Sequence, residues 1–308
     1  MTPAATVLIT TRNRAGELMR AVESALAQTA DCEVLVIDDG SADGTADELA
    51  RRFPAVRCVR HAESAGYIVR RNQGAALAKA PIVVSIDDDA IFPSRTTVAA
   101  TLDAFDHPRV GAVTIPFVDV HKSPSVRQAA PTADGVWVAA DYVGTAHALR
   151  RDLFLRLGGY RPVLFHQGEE RDYCLRMLAA GYVTRLGIGD PIHHLESPRR
   201  DFRRMDLYGR RNDVLFAYHN VPAPEIWGHL AATAFKGLCF GFRCGKPIIM
   251  ARGLWMGVQA AAADRAARRT VGRRLNWLHR RLKKAGATPL RAIESLLPPA
   301  VELLTSVV

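Results

Sequence analysis

Long apolar runs are missing from this chain of 308 residues. The segment that comes closest, 228–258, is interrupted by the basic residues Lys236, Arg243, Lys246 and Arg252. The sequence therefore predicts no bilayer-spanning helix. The N-terminal residues lead directly into a predicted strand, so we also expect no signal peptide. Cysteine is scarce too: its five residues are odd in number and lack metal-ligand spacing, which indicates reduced thiols in a cytoplasmic protein.

Acidic residues are outnumbered, with 31 Asp and Glu against 41 Lys and Arg and a formal net charge of +10. The excess is concentrated in residues 199–211 and 265–284. Basic surfaces favour phosphate, whether in a nucleotide, nucleic acid or an anionic lipid. Aromatic residues are not interleaved with the basic ones as a base-stacking platform requires. We therefore expect a phosphorylated ligand or a membrane surface as partner, and no nucleic acid.

Short β-branched runs alternate with amphipathic segments in the first half of the chain, which predicts an α/β fold with a parallel sheet. The predicted strands lie at about 7–9, 34–37, 56–59 and 82–86. Later strands are expected at 111–118, 136–148 and 182–188, and helices at 151–157 and 169–180. From about residue 225 the pattern is helical and amphipathic. We divide the chain into a core, 1–220, and a basic helical C-terminal extension, 221–308.

Three consecutive carboxylates, Asp87, Asp88 and Asp89, follow the apolar strand predicted at 82–86. Ligands of open α/β sheets bind beyond the C-terminal ends of the strands. Carboxylates crowded there repel one another unless a cation lies between them, and hard divalent cations usually bring a ligand phosphate. The triad therefore suggests a metal–diphosphate site. Taken alone, an acidic loop or helix cap would explain it equally well.

Five further polar segments are expected near strand ends or helix starts, at 10–14, 38–41, 70–72, 168–176 and 191–194. The first offers N–H groups and hydroxyls to an anion, and the second offers carboxylates to a base or ribose. The third offers arginines to phosphate, the fourth a general base, and the fifth an imidazole to a metal. Each has a structural alternative: a polar loop, a helix cap, a solvated helix face, an acidic helix N-terminus or a structural histidine.

In this order the segments resemble the family 2 glycosyltransferases, which have the A-type glycosyltransferase fold. The resemblance covers about residues 5–220 and is strongest in VLITTRNR, VIDDGSADGT, RRNQGAALA, VVSIDDDAIF and GEERDYCLRMLAAGY. It implies a mostly parallel central sheet flanked by helices. It also implies inverting transfer of a sugar from a nucleotide-diphosphate sugar to a hydroxyl of a glycan or lipid-linked acceptor, in polysaccharide or glycolipid synthesis.

The resemblance also implies roles for individual residues. Asp39 would hold the nucleotide base, and the further nucleotide contacts would be Thr11, Arg12, Asn13, Arg71, Asp87 and Asp88. Mg²⁺ or Mn²⁺ would be held by Asp89, Asp87 and His194, with His193 as the alternative histidine. Arg199, Arg200 or Arg204 would supply countercharge to the diphosphate, unless this segment is simply an exposed basic helix.

The general base is where the sequence departs from the family pattern. The family usually has an Asp of a Gly-Glu-Asp-x-Asp motif, and this chain has Glu170 at that position. Glutamate is one methylene longer, so its carboxylate can lie elsewhere. Glu170 is our predicted base, and Glu169 and Asp172 are the alternatives.

Other functions remain open from the sequence. A sugar nucleotidyltransferase would need a Gly-rich loop after the first strand, and a phosphatase with an Asp-x-Asp pair would place that pair near the N-terminus. A non-catalytic sugar-nucleotide-binding protein follows if Glu170 cannot act as base.

The C-terminal extension mixes basic residues with Leu254, Trp255, Val258, Leu275, Trp277 and Leu278. This pattern suggests peripheral binding to the inner face of the cytoplasmic membrane. Packing onto the core or onto a partner subunit is the alternative.

Overall fold

The structure is a computed structural model that describes residues 2–196 and 201–302. The strands are β1 Ala5–Thr11, β2 Cys32–Asp38, β3 Arg57–Arg60, β4 Ile82–Asp87, β5 Ala90–Ile91, β6 Val110–Thr114, β7 Phe117–Asp119, β8 Trp137–Ala139, β9 Ala146–Arg150, β10 Val183–Arg185, β11 Ile192–His194 and β12 Thr288–Pro289. The helices are α1 Ala15–Leu26, α2 Thr45–Arg52, α3 Tyr67–Leu77, α4 Thr97–Asp103, α5 Arg151–Arg156, α6 Glu169–Ala179, α7 Phe202–Asn220, α8 Glu225–Arg243, α9 Pro247–Ala263 and α10 Arg273–Ala285.

A mixed central sheet of nine strands among the described residues has the order β12-β8-β10-β6-β9-β4-β1-β2-β3. The first four strands in sequence, β1 to β4, pair in parallel, because α1, α2 and α3 form the crossovers between them. β9 is antiparallel to both β4 and β6, and β8 is antiparallel to β10 and β12. The other strands share one direction, so the carboxyl ends of β1, β2 and β4 open onto one edge.

A smaller sheet, β5-β11-β7, lies directly beyond the end of β4. Its register places His194 opposite Ala90 on β5 and opposite Asp119 on β7. The backbone N–H of Leu195 also donates to the carbonyl of Asp89, at 2.8 Å. Strand pairing therefore brings a histidine about a hundred residues away in sequence to the acidic turn after β4.

The predicted strands 111–118 and 136–148 are each broken in the structure. Pro116 separates β6 from β7, since proline cannot donate to a strand ladder. Residues 140–145 form a loop between β8 and β9, and Val143, Gly144 and Thr145 of that loop line a cavity. Because of these interruptions, residues that a continuous strand would have kept in the sheet line the cavity instead.

The C-terminal segment is helical, as expected, but it also completes the central sheet through β12. Leu278 and Leu282 of α10 are buried in the main core, while α8 and α9 pack against α7. The division of the chain at residue 220 stays a prediction. Among the described residues, every helix is too short or too polar to cross a membrane.

Candidate active site

A cavity of about 540 Å³ lies at the carboxyl ends of β1, β2 and β4. Its lining combines charged residues from both sheets with polar loop residues, a composition typical of ligand sites at this edge of α/β folds. Of the predicted site residues, it is lined by Thr11, Arg12, Asp39, Arg71, Asp87, Asp88, Asp89, Glu170 and His194. The structure therefore brings most of the predicted residues together in one place.

The three carboxylates of the triad have different partners. Asp87 at the end of β4 pairs with Arg71 at 2.6 Å and is the most exposed of the three. Asp88 is buried and accepts hydrogen bonds from Thr11 Oγ1 and Arg14 Nη1, both at 2.8 Å. Burial raises the pKa of Asp88 to about 7, although the nearby Arg14 opposes the shift. Asp88 therefore anchors the turn.

Asp87, Asp89 and His194 form a group whose ligand atoms all lie within 4.8 Å of one another. His194 Nε2 is 3.5 Å from Asp89 Oδ1, and its Nδ1 is 2.6 Å from Asp119 Oδ1. With a divalent cation bound, His194 would be neutral, donating from Nδ1 to Asp119 and offering its Nε2 lone pair to the cation. This carboxylate–histidine arrangement is typical of metal sites, so the residues present fit a divalent cation.

The carboxylates around His194 also raise its pKa. Burial lowers its pKa, but hydrogen bonds with Asp89 and Asp119 outweigh that effect and raise it. The alternative His193 is on the same strand but does not line the cavity. A second group, Asp119, His194 and Glu196, also lies within ligand distance, which makes Asp119 either an orienting residue or a ligand.

The loop after β1 contributes unequally to the cavity. Thr11 and the exposed Arg12 line it, whereas Asn13 does not. Asn13 has a φ of 54° and joins two loops: its Oδ1 accepts from the N–H of Ala42, and its own N–H donates to Ser41 Oγ. Asn13 thus joins the loops after β1 and β2, and its contact with a nucleotide stays a prediction.

Asp39 organises the segment that precedes α3. Its carboxylate accepts from Ser64 Oγ, from the N–H groups of Ala65 and Gly66, and from Arg70 Nε, at distances of 2.6 to 3.0 Å. Burial raises the pKa of Asp39, but these donors outweigh it and lower the pKa below its usual value. Asp39 is therefore an ionised residue in the cavity wall that holds the neighbouring loop in place.

Arg71 is a buried cation between two acidic groups. Its Nη2 is 2.6 Å from Asp87 Oδ1 and donates to the carbonyl of Gly144, while its Nη1 is 3.3 Å from Glu169 Oε1. The ring of Tyr67 lies 4.9 Å from the guanidinium carbon. Arg71 therefore links the metal-side carboxylates to the start of α6.

The three candidate bases on α6 are separated by the structure. Glu169 is fully buried beside Arg71 and accepts from Tyr67 Oη at 3.2 Å. Glu170 lines the cavity and lies against Gly144, where a Cβ would overlap Glu170 Oε1. Burial raises the pKa of Glu170, while Arg71 opposes the shift. Among the three, Glu170 is the carboxylate that faces the cavity.

Asp172 does not line this cavity, contrary to its prediction as an alternative base. It is buried and paired with Arg161 at 3.1 Å and Arg176 at 2.9 Å, and it accepts from Asn220 Nδ2 at 2.8 Å. These partners use its lone pairs within the fold, so its role here is structural.

A second cavity of about 500 Å³ adjoins the first on the other side of Glu170. The two share Val143, Gln167, Glu170 and Met205. The remaining lining is rich in charged groups, with two apolar side chains from α8 and α9: Asp141, Arg171, Asp206, Arg210, Asp213, Lys283, Phe240 and Met250. Glu170 is thus the carboxylate at the boundary between two chambers.

Of the predicted countercharges, Arg199 and Arg200 lie outside the described residues. Arg204 lines the first cavity and its guanidinium carbon lies 5.1 Å from the ring centre of Phe165. Four residues at the site received no individual role from the sequence: Arg14, Tyr67, Asp119 and Gly144. Arg14 lies within the predicted polar segment 10–14, and Asp119 could have been noticed as a lone carboxylate in the apolar segment 115–120.

The sequence matches the family described as Glycosyl transferase family 2 over residues 6–161. It is 28% identical over 284 residues to the pre-mycofactocin glycosyltransferase of Mycobacterium tuberculosis, covering 85% of this chain and 58% of that protein. It is 36% identical over 105 residues to the succinoglycan biosynthesis protein ExoU of Rhizobium meliloti, covering 32% of this chain and 30% of that protein. The chain thus spans less than two thirds of the length of these relatives.

The fold is similar to that of solved glycosyltransferases. A mannosyltransferase from Pyrobaculum calidifontis, solved with GDP-Man and Mn²⁺, has a TM-score of 0.57 at 23% identity, covering 96% of this chain and 84% of that one. GalNAc-T7, solved with UDP, GalNAc and Mn²⁺, has a TM-score of 0.54 at 16% identity, covering 80% of this chain and 58% of that one. These likenesses confirm the predicted A-type fold.

Proposed function

The chain belongs to glycosyl transferase family 2, as its sequence predicted, and on that premise we propose that it is an inverting, metal-dependent sugar transferase. Its donor would be a nucleotide-diphosphate sugar bound in the first cavity, and its acceptor a hydroxyl presented from the second. The similarity to a succinoglycan biosynthesis protein supports a glycan acceptor of polysaccharide synthesis, and a lipid-linked acceptor of glycolipid synthesis is the alternative within the proposal.

The donor side of the proposal is supported by the chemistry of the cavity wall. Asp87, Asp89 and His194 would hold Mg²⁺ or Mn²⁺, and the cation would neutralise charge that develops on the diphosphate as the sugar leaves. The loop at Thr11 and Arg12, together with the wall around Asp39, would contact the nucleotide. Arg204 supplies a further positive charge at the same cavity.

Glu170 would act as the general base. Its carboxylate accepts the proton of the acceptor hydroxyl while that oxygen forms a bond to the anomeric carbon. The bond from the anomeric carbon to the diphosphate oxygen breaks, and its electron pair leaves with the nucleoside diphosphate. Because attack and departure occur on opposite faces of an oxocarbenium-like centre, the configuration inverts.

The position of Glu170 between the two cavities is the observation that carries the proposal. A base for this reaction must reach a hydroxyl on the side of the sugar opposite the leaving group. Gly144 leaves space for the longer glutamate side chain, because any Cβ there would overlap its carboxylate. The departure from the family's aspartate is therefore accommodated by the opposing loop.

Calorimetric titration of UDP, GDP and dTDP, with and without Mn²⁺, tests the donor site. We expect metal-dependent binding of one nucleotide by the wild type and by Glu170→Gln, and loss of that binding in Asp89→Ala. Asp103→Ala, an exposed carboxylate at the end of α4, is the control. Thermal unfolding confirms that each variant is folded. Binding unaffected by Asp89→Ala in folded protein would contradict the proposed metal site.

Nucleotide release from the corresponding sugar donors tests the base. Glu170→Gln is expected to lower turnover by about 10²- to 10⁴-fold, the usual contribution of general base catalysis, with donor affinity retained. Unchanged turnover in this variant would assign the base elsewhere. A wild type that binds donor but neither transfers nor hydrolyses it would instead favour a non-catalytic sugar-nucleotide-binding protein.

A further inference from the structure

Helices α8 and α9 present large apolar side chains to solvent. On α8 these are Trp227, Phe235, Leu238 and Phe242, and on α9 they are Ile248, Trp255 and Val258. We call these seven residues the apolar face. Phe240 of α8 is also exposed, but it lines the second cavity and is not counted with them. Trp227, Phe235 and Phe242 are 71 to 73% exposed, and Ile248 is 81% exposed. Scattered apolar residues are normal on protein surfaces, but a set of this size on two adjacent helices marks an interaction site.

The two helices bury several small residues and expose most of their large apolar ones, although Ile226 and Met250 are buried. Gly237 and Gly241 of α8 are buried, as are Gly253 and Gly257 of α9. A Cβ at Gly253 or Gly257 would come within 2.7 Å of a carbonyl oxygen of α7. Close backbone packing on α7 therefore fixes the buried side of α9, while Gly237 of α8 packs on the Arg210 side chain and Gly241 packs on the start of α9. This is the reverse of an ordinary amphipathic surface helix, whose large apolar residues face the core.

α10 shows the ordinary arrangement and provides an internal comparison. It is basic and amphipathic, and its apolar residues Leu278 and Leu282 are buried in the main core. Trp277 remains exposed, but Arg281 lies over its ring at 5.4 Å. The sequence-based membrane hypothesis included residues of both α9 and α10, whereas most of the exposed large apolar residues of the C-terminal helices lie on α8 and α9.

The charge around the apolar face favours an anionic bilayer over a second copy of the chain as its binding partner. Residues 226–263 contain no Asp or Glu, and their charged residues are Lys236, Arg243, Lys246 and Arg252. A symmetric contact with a second copy would bring Lys236, Arg243 and Arg252 together without acidic residues on these helices, whereas Lys246 already pairs with Asp206 at 2.6 Å. An anionic bilayer instead offers negative headgroups around an apolar interior, with tryptophan favoured at the boundary.

We propose that the apolar face docks the protein onto an anionic lipid bilayer, with α8 and α9 in the headgroup plane. The aromatic side chains enter the acyl boundary, and Lys236, Arg243 and Arg252 contact lipid phosphates. This docking does not depend on sugar transfer. If the proposed function also holds, Phe240 and Met250, which line the second cavity from the same helices, bring the acceptor chamber to the lipid surface.

Flotation with vesicles tests the proposal, using pure phosphatidylcholine and phosphatidylcholine with about 30 mol% phosphatidylglycerol. At low salt the wild type should float with the anionic vesicles and at least tenfold less with the neutral ones. The variant Phe242→Ser/Trp255→Ser should bind the anionic vesicles at least tenfold more weakly. Trp277→Ser, which removes an exposed tryptophan of α10, is the matched control and should bind as the wild type does.

Charge reversal separates electrostatic from apolar attachment. Lys236→Glu/Arg243→Glu should lower vesicle affinity by about fivefold or more per residue, because each basic residue contributes about that factor near an anionic surface. Lys284→Glu on α10 controls for net charge. Tryptophan emission of the wild type should shift to the blue on vesicle addition.

Two outcomes would overturn the proposal. One is wild-type protein that unfolds cooperatively on heating, and is therefore folded, yet does not float with anionic vesicles, whether or not it binds nucleotide. The other is a concentration-dependent dimer in sedimentation that Phe242→Ser/Trp255→Ser abolishes, without vesicle binding by the wild type. The second result would assign the apolar face to a second copy of the chain. Because nucleotide binding is measured separately, failure of docking and failure of the proposed donor site are distinguishable.

Discussion

Removing Asp119 should weaken metal binding although Asp119 was not among the predicted ligands. Its Oδ1 lies 2.6 Å from His194 Nδ1, and its Oδ2 pairs with Arg127 at 2.9 Å. The carboxylate is therefore held from both sides and fixes the orientation of the imidazole. Residues that orient a ligand in this way typically contribute about 10- to 100-fold to metal affinity, or about 1.4 to 2.8 kcal/mol.

Two substitutions at Asp119 separate the contribution of its negative charge to metal affinity from that of its hydrogen-bond acceptor. Asp119→Asn keeps an oxygen that can accept from Nδ1 and removes the negative charge, so we expect a loss near the lower end of that range. Asp119→Ala removes both the charge and the acceptor, so we expect a loss near the upper end. Asp47→Asn is the control, because Asp47 pairs with Arg60 at 3.4 Å on an exposed surface.

Titration of Mn²⁺ into each variant, in the presence of the nucleotide that the wild type binds, measures the effect. Thermal unfolding of the metal-free proteins tests whether a variant has lost its fold. A folded Asp119→Ala protein with the metal affinity of the wild type would refute the reasoning, since His194 would then need no orienting carboxylate. Equal losses in Asp119→Ala and Asp47→Asn would show that only net charge matters.

Three further predictions concern the rest of the site and its support. Gly144→Ala should lower turnover at least about tenfold with little change in nucleotide affinity, because its Cβ displaces the Glu170 carboxylate; unchanged turnover would contradict this. Asp172→Ala should lower the free energy of unfolding by about 3 kcal/mol in urea titrations, because it removes the buried carboxylate that neutralises the part-buried Arg161 and Arg176; a stable variant without turnover would instead support a catalytic role. Burial lowers the pKa of His279 to about 4, with a smaller contribution from neighbouring cations, against about 6.5 when unfolded. The unfolded state then binds the proton first, so stability should fall as the pH drops from about 6.5 to 4, by up to about 3 kcal/mol, and His279→Gln should flatten that dependence.

Several features of the site follow from the sequence alone. Each parallel strand of the first half is a short apolar run, and polar residues follow where the run stops. Because parallel strands end at a common edge, the order of these segments predicts that Asp39, Asp87 and the loop at Thr11 meet. The structure places all three at one cavity, and the family match agrees with the resemblance carried by the same segments.

Which side chain of a polar segment faces the cavity depends on tertiary packing. Glu170 and Asp172 are two residues apart on α6, so they point about 200° away from each other around the helix axis. The sequence shows that the helix begins with carboxylates but not which face lies against β10 and α7. In the structure Asp172 is turned toward Arg161 and Arg176, and Glu170 is turned toward the cavity.

The predicted metal ligands and the apolar face depended still more on the tertiary structure. Asp89, Asp119 and His194 come from three separate segments of the chain. Only the pairing of β11 with β5 and β7 places His194 between Asp89 and Asp119. Hydrophobic periodicity likewise identifies an apolar stripe on a helix without identifying what covers it. α10 covers its stripe with the core, whereas the buried glycines of α8 and α9 leave the aromatic side chains outside. Local sequence therefore determined the elements and the chemistry they carry, and long-range packing decided which of those groups meet.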